Sequence, residues 1–366
     1  MHRRAKMGLT LLGALAAAGC GDSVSLGNEV QYWYDGDAAH GGSTTEPLSL
    51  YEGTSSPSIY AVDDTTLFTT FGERDQKRGE SLLVTVKSCE LASCAGTLRT
   101  LYEQLYPSVI DAPSVVLAVG GSEIFFASRD SLGGSYIVAC PRSGCTHAPR
   151  QVVSVRGQAK RLVATDAHVY WDDGSSLWRC AREGCTTPAT RNLDAVARPP
   201  IGGNFGMTSF TIADEYAYVV GPGGLARLKA DLSSDPDWVY RSELPIRGIA
   251  ARGDWIYFGI STLTGEIRRC PVTGCVGDPE GVASGQHWPS WLAVDDRTLY
   301  WFNFISDPGP TGPGSLGAAA TDGPSEPRTL LSDLPLDSYM PIAMNAHHLY
   351  WMEIFNNRLR LRTLAK

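Results

Sequence analysis

Nine cysteines carry the most evident chemistry in this chain, and eight of them recur at one spacing: Cys89 with Cys94, Cys140 with Cys145, Cys180 with Cys185, and Cys270 with Cys275. In the last three pairs the intervening residues read Pro-Arg-Ser-Gly, Ala-Arg-Glu-Gly and Pro-Val-Thr-Gly. Thiols set this close have two uses. If they flank a β-hairpin, directly opposed positions place their Cα atoms about 4.5–5.5 Å apart, within reach of a disulfide. Alternatively, two pairs from different parts of the chain could combine into a tetrahedral all-thiolate zinc site. Each disulfide would close only a small loop and contribute about 2 kcal/mol in the chain-entropy model. Cys20 is left without a partner.

A second set of candidate residues is oxygen-rich. Asp172 and Asp173 are adjacent, Asn303 and Glu353 follow similar Leu-Tyr-Trp segments, and His287 and Trp288 lie within Gly285-Gln-His-Trp-Pro289. If loops gathered these side chains, the carboxylates and the amide could hold Ca²⁺, a hard cation that prefers oxygen ligands. Such an ion could polarise an ester or lactone carbonyl. The competing reading makes them solvated loop residues that support turns. Otherwise the chain has no Gly-x-Ser-x-Gly elbow, no His-Glu-x-x-His and no phosphate-binding Gly-x-x-x-x-Gly-Lys loop, and its seven histidines are scattered. A net charge of -8 without a basic stripe disfavours nucleic acid as a partner.

These residues sit on a repeating framework. Phe68, Phe125, Tyr170, Tyr218, Tyr257, Tyr300 and Tyr350 follow one another at intervals from 39 residues (Tyr218 to Tyr257) to 57 (Phe68 to Phe125). That is the period of a four-stranded propeller blade. Before each aromatic comes a short apolar run, such as Val115-Val-Leu-Ala-Val119 or Trp291-Leu-Ala-Val294, then a turn such as Gly120-Gly121 or Asp295-Asp296. We read the apolar runs as innermost strands buried on both faces. A third strand follows, as in Leu177-Trp-Arg-Cys180 or Ile267-Arg-Arg-Cys270, and then a Pro-led fourth strand such as Pro149-Arg-Gln-Val-Val153. The composition, with 39 Gly and 22 Pro, agrees with an all-β chain of many turns.

The pattern predicts an all-β, seven-bladed β-propeller of four-stranded antiparallel blades. The last unit ends at its third strand, Arg358-Leu-Arg-Leu-Arg-Thr-Leu364, while Glu46-Pro-Leu-Ser-Leu-Tyr51 has fourth-strand character and no blade in front of it. The N-terminal strand is therefore expected to close the last blade, with Tyr32-Trp33-Tyr34 as a further strand in one variant. In such a ring, the loops after the second and fourth strands of each blade share one face around the channel. That face would carry Asp172, Asp173, His287, Trp288, Asn303, Glu353 and the insertion from Ser306 to Gly317.

The N-terminus reads as an export signal. His2-Arg3-Arg4-Ala5-Lys6 is basic, Met7 to Ala18 is apolar, and small residues precede Cys20. Twelve apolar residues cannot span a hydrocarbon core of about 30 Å as a helix. Leu15-Ala-Ala-Ala-Gly-Cys20 resembles the lipobox of bacterial lipoproteins, although Ala17 stands where Leu is usual. The resemblance implies cleavage before Cys20 and its acylation; the alternative is ordinary cleavage after Ala16-Ala-Ala18. The expected divisions are a signal at 1–19, a lipid-anchored tether and extension at 20–44, and the propeller at 45–366. An exported location favours disulfides over zinc.

The Leu-Tyr-Trp strands followed by Gly265-Glu-Ile-Arg-Arg269 resemble YWTD and NHL-type propeller repeats. The resemblance covers nearly all of the chain after Gly53. It departs where Asp172-Asp173, Phe302-Asn303 or Met352-Glu353 replaces Thr-Asp, and in having seven units instead of the usual six. It implies protein binding in some members and lactone hydrolysis in distant ones. Two functions follow as expectations. One is a monomeric, membrane-tethered scaffold of the cell envelope, facing the periplasm or the exterior and binding a protein or glycan. The other is a metal-dependent hydrolase of the lactonase type.

Overall fold

The computed structural model describes residues 23–25, 30–33, 48–53, 56–75, 81–92, 94–107, 116–130, 132–145, 147–197, 209–304, 313–322, 326–335, 341–355 and 358–366. Cys20, the signal segment and residues 305–312 of the predicted insertion lie outside them.

Short strands rich in β-branched and aromatic residues, separated by Asp- and Gly-containing turns, form seven antiparallel sheets. The chain is a seven-bladed β-propeller. Six sheets have four strands in consecutive order. The seventh is built from both ends of the chain. Leu48–Gly53 pairs antiparallel with Arg358–Ala365, Leu48 lying opposite Thr363 and Gly53 opposite Leu359. Val30–Trp33 and Ser23–Ser25 extend that blade outward to six strands. The predicted closure is therefore present, two residues later in the chain than expected.

The seven repeat aromatics are all between 0% and 3% exposed, each on the second strand of its blade. Here one expectation is corrected. The strand buried on both faces is the second strand, as in Tyr216–Gly221, Trp255–Ile260 and Thr298–Asn303. Innermost strands vary: Leu117–Gly120 and Ser290–Val294 are largely buried, as expected, whereas Arg161–Ala164 and Ser209–Ala213 are only partly buried, their free edge bordering the central channel. The insertion is also shorter than expected: residues 313–317 belong to the third strand of the sixth blade, Pro313–Ala320.

All four cysteine pairs are bonded, with Cα–Cα distances of 4.7, 5.2, 5.7 and 5.1 Å along the chain. Their geometry differs from the prediction. Cys140 is the last residue but one of the strand Ser135–Pro141, but Ala139 already pairs with Arg150, so Cys145 lies inside the loop and not opposite Cys140 in the ladder. The bond clips a tight turn. Gly144, Gly184 and Gly274 each donate a backbone hydrogen bond three residues back, at 2.9–3.0 Å, and each has φ between 104° and 122°, which glycine alone adopts readily.

The clipped turn docks on the preceding blade. Cys145 N–H donates to Leu101 O and Cys185 N–H to Val152 O, both at 3.1 Å. Arg142 lies 5.8 Å from the ring of Phe68 and pairs with Asp63, and Arg182 lies 5.4 Å from the ring of Phe125. Val272, at the equivalent position, accepts a 2.6 Å hydrogen bond from Tyr218 Oη. These three turns thus cover the aligned aromatic of the neighbouring blade, a contact that single blades could not make.

Candidate functional site

Second strands end and first strands begin on one face of the ring, so these termini decide what surrounds the channel mouth. In the third blade, Arg161 opens the first strand and Asp172 closes the second, and the two are register partners. Arg161 reaches over the channel to the sixth blade, where its guanidinium carbon stands 5.4 Å from the ring centre of Trp291. Within the fifth and sixth blades, Arg247 sits 5.7 Å from the ring of Trp288.

Asp172 is 2% exposed. Its Oδ1 accepts from Gly174 N–H at 3.0 Å, but its Oδ2 is buried without a hydrogen-bond partner, as is Nη1 of Arg161. Burial pushes the Asp172 carboxyl up to about 6, against the opposing pull of the Arg161 charge. Burial likewise lowers the Arg161 guanidinium, and Asp172 pushes it back. The two residues are register partners at the strand ends, yet each keeps a buried atom with unused hydrogen-bonding capacity. Leaving such atoms unmatched costs about 1–3 kcal/mol each.

Trp288 and Trp291 share a backbone feature. Their φ angles are +47° and +53°, a region that bulky residues seldom occupy and that costs of order 1–3 kcal/mol. The surrounding segment holds them there: Trp288 N–H donates to Thr262 O at 2.8 Å, and Ser290 Oγ donates to Trp288 O at 3.2 Å. Both rings are partly exposed beside the apolar core of the sixth and seventh blades.

The remaining predicted residues behave differently from one another. Asn303 is held through Nδ2, which donates to Gln286 Oε1 at 3.0 Å, while its Oδ1 is buried and unpartnered; Trp301 Nε1 donates to the same Gln286 oxygen at 2.9 Å. Asp173 serves its own turn. It accepts from the Ser175 amide and hydroxyl, the Ser176 amide and Trp178 Nε1 at 2.8–2.9 Å. Burial would raise its carboxyl, but these hydrogen bonds outweigh burial and hold it below the ordinary aspartate value. Glu353, 3% exposed, accepts from Arg362 at 2.8 Å. His287 is exposed, and its carbonyl accepts from Phe304 N–H at 2.9 Å.

The carboxylates do not converge. Among the described residues no three of His, Cys, Asp or Glu are placed to hold a metal ion. Asp172 lies at a strand end opposite Arg161 and Asn303 is tied to Gln286, whereas Asp173 and Glu353 are occupied by partners within their own blades. Sequence reasoning missed Arg161, Arg247, Gln286 and Trp291. A signal for two of them existed, since Arg161 and Arg247 stand immediately before apolar inner-strand runs, where a charge must either face the channel or be buried.

The fold and this site define a closed seven-bladed propeller with a charged, aromatic channel mouth. No protein-family model matches the chain, and no curated protein matches it in sequence. Among solved structures, it is similar to the β-propeller domain of the Trilobed protease from Pyrococcus furiosus, at TM-score 0.55 and 11% identity, over 85% of this chain and 95% of that one. It is also similar to the computationally designed Ika8 protein, at TM-score 0.50 and 10% identity, over 86% and 98% of the two chains. BamB from Moraxella catarrhalis aligns at TM-score 0.43 and 14% identity, over 83% and 84%. These likenesses concern the fold. The protease propeller has an open velcro topology, whereas here Leu48–Gly53 seals the ring.

Proposed function

We propose that this protein is exported, acylated at Cys20 and held at a membrane of the cell envelope, and that it works as a binding protein whose protein or glycan ligand enters the channel mouth. The reading rests on one observation above all: Arg161, whose Nη1 is unpartnered and whose register partner Asp172 has an unpartnered Oδ2, stands over Trp291, which is held in a strained backbone conformation. An acceptor, a donor and an aromatic face are what a sugar hydroxyl pair or a peptide amide needs. The resemblance to YWTD and NHL-type repeats supports the same class. The hydrolase reading loses two of its metal donors, Asp173 to its own turn and Glu353 to Arg362.

The test is titration of the protein with oligosaccharides and short peptides from the producing cell's envelope, followed by tryptophan fluorescence. Saturable quenching that disappears in both Arg161→Ala and Trp291→Ala supports the reading. A ligand that binds these variants as tightly as the wild type overturns it.

A further inference from the structure

The opposite face of the ring holds a second site. Between the fifth, sixth and seventh blades lies a cavity of about 670 Å³, within the roughly 300–1,000 Å³ of small-molecule sites. Four cations line it, Arg252, Arg297, Arg328 and Lys366, against two carboxylates, Asp295 and Asp296. Both carboxylates are already engaged. Asp295 pairs with Lys366 at 2.6 Å and Asp296 with Arg252 at 2.7 Å. Among the described residues, the guanidinium groups of Arg297 and Arg328 meet no ion-pair or hydrogen-bond partner. Four positive side chains against two negative ones leave a surplus of two positive charges, on a protein whose net charge is -8. Val294, Met344 and Tyr300 supply a partly apolar wall.

We propose that this cavity binds a phosphoryl oxyanion, received by the forks of Arg297 and Arg328. Inorganic phosphate carries between about one and two negative charges at neutral pH and a lipid phosphodiester carries one, so either is accommodated by the positive surplus, and arginine forks fit phosphoryl oxygens in pairs. Chain direction points to where such a group would come from. Leu48–Gly53 starts opposite Thr363, beside the Lys366 end of its partner strand, so the chain enters the seventh blade from the cavity face. Ser23–Ser25 runs in the same direction as Leu48–Gly53, because each is antiparallel to Val30–Trp33. Ser23 therefore stands at the cavity-face end of its strand. With Cys20 acylated, that face meets the membrane surface, where phosphate is carried by lipid headgroups. This last step rests on the lipid-anchor reading; the oxyanion site does not.

The experiment is isothermal titration calorimetry on the full-length, detergent-extracted protein, with inorganic phosphate in one arm and short-chain, micelle-free phosphatidylglycerol in the other. Saturable binding in either arm is expected, weakened about tenfold by Arg328→Gln and further by the Arg297→Gln, Arg328→Gln pair, and weakened by added salt. Binding at least tenfold tighter for the lipid assigns the source to a headgroup; equal binding assigns it to a free phosphate. Arg328→Lys keeps the charge and loses the fork, and should fall between wild type and Arg328→Gln. No binding in either arm, or binding that these substitutions leave unchanged, overturns the proposal. Membrane release of Cys20→Ala is scored separately, so failure of the anchor reading is distinguishable from failure of the site.

Discussion

Asp172→Asn isolates the one carboxylate at the channel mouth that burial moves far from its ordinary titration. In the folded protein it titrates at about 6 and not at 3.8, chiefly because burial penalises its charge, with Arg161 and the Gly174 amide pulling the other way. The gap is about 2 pH units, equivalent to about 3 kcal/mol at about 1.4 kcal/mol per unit. Because the folded value is raised, the stability tied to this group is fully present below about pH 4 and is lost as the pH rises through about 6, with the loss levelling off above that. Asparagine keeps an oxygen for the Gly174 amide and never ionises. The variant should therefore match the wild type near pH 4 and exceed its stability by about 2–3 kcal/mol at about pH 8. Urea unfolding followed by tryptophan fluorescence across that range measures the difference. A stability difference that stays constant with pH, or that favours the wild type at high pH, refutes the argument that burial of a charged Asp172 strains the mouth.

Three further outcomes are expected. Cys20→Ala should move the protein from the membrane pellet to the soluble fraction on cell fractionation; continued sedimentation with membranes would count against acylation at that residue. Replacing Cys140 and Cys145 together by Ser should lower unfolding stability by about 2 kcal/mol and loosen the docking of the turn on the preceding blade, which faster hydrogen exchange at the backbone amide of position 145 would reveal, and non-reducing peptide maps of the wild type should recover all four local links. Deleting residues 21–53 should expose the edge of Arg358–Ala365 and promote aggregation on heating, whereas deleting residues 21–28 removes only the outermost strand of that blade and should cost far less; equal melting of the two truncations would show that Leu48–Gly53 does not seal the ring.

The architecture was legible in the amino-acid sequence because it is written in local, periodic terms. An aromatic every 39 to 57 residues, a short apolar run before it and an Asp- or Gly-containing turn between them specify a blade without reference to any distant residue. The closing strand was legible for a similar reason, since a chain that stops at a third strand leaves a deficit that a fourth-strand pattern elsewhere must fill. Tertiary structure decided matters that depend on what lies across a blade boundary or across the channel. The x-Arg-x-Gly turns were visible, but nothing local says that Arg142 and Arg182 lie over the aromatic of the preceding blade. Asp172 and Asp173 are adjacent and chemically identical in sequence, yet alternation along the strand buries Asp172 beside Arg161 and leaves Asp173 to cap its own turn. Trp291 read as one more apolar inner-strand residue. Only closure of the ring brings Arg161, three blades away, onto its face, because a propeller converts large separations in sequence into contact across a narrow channel.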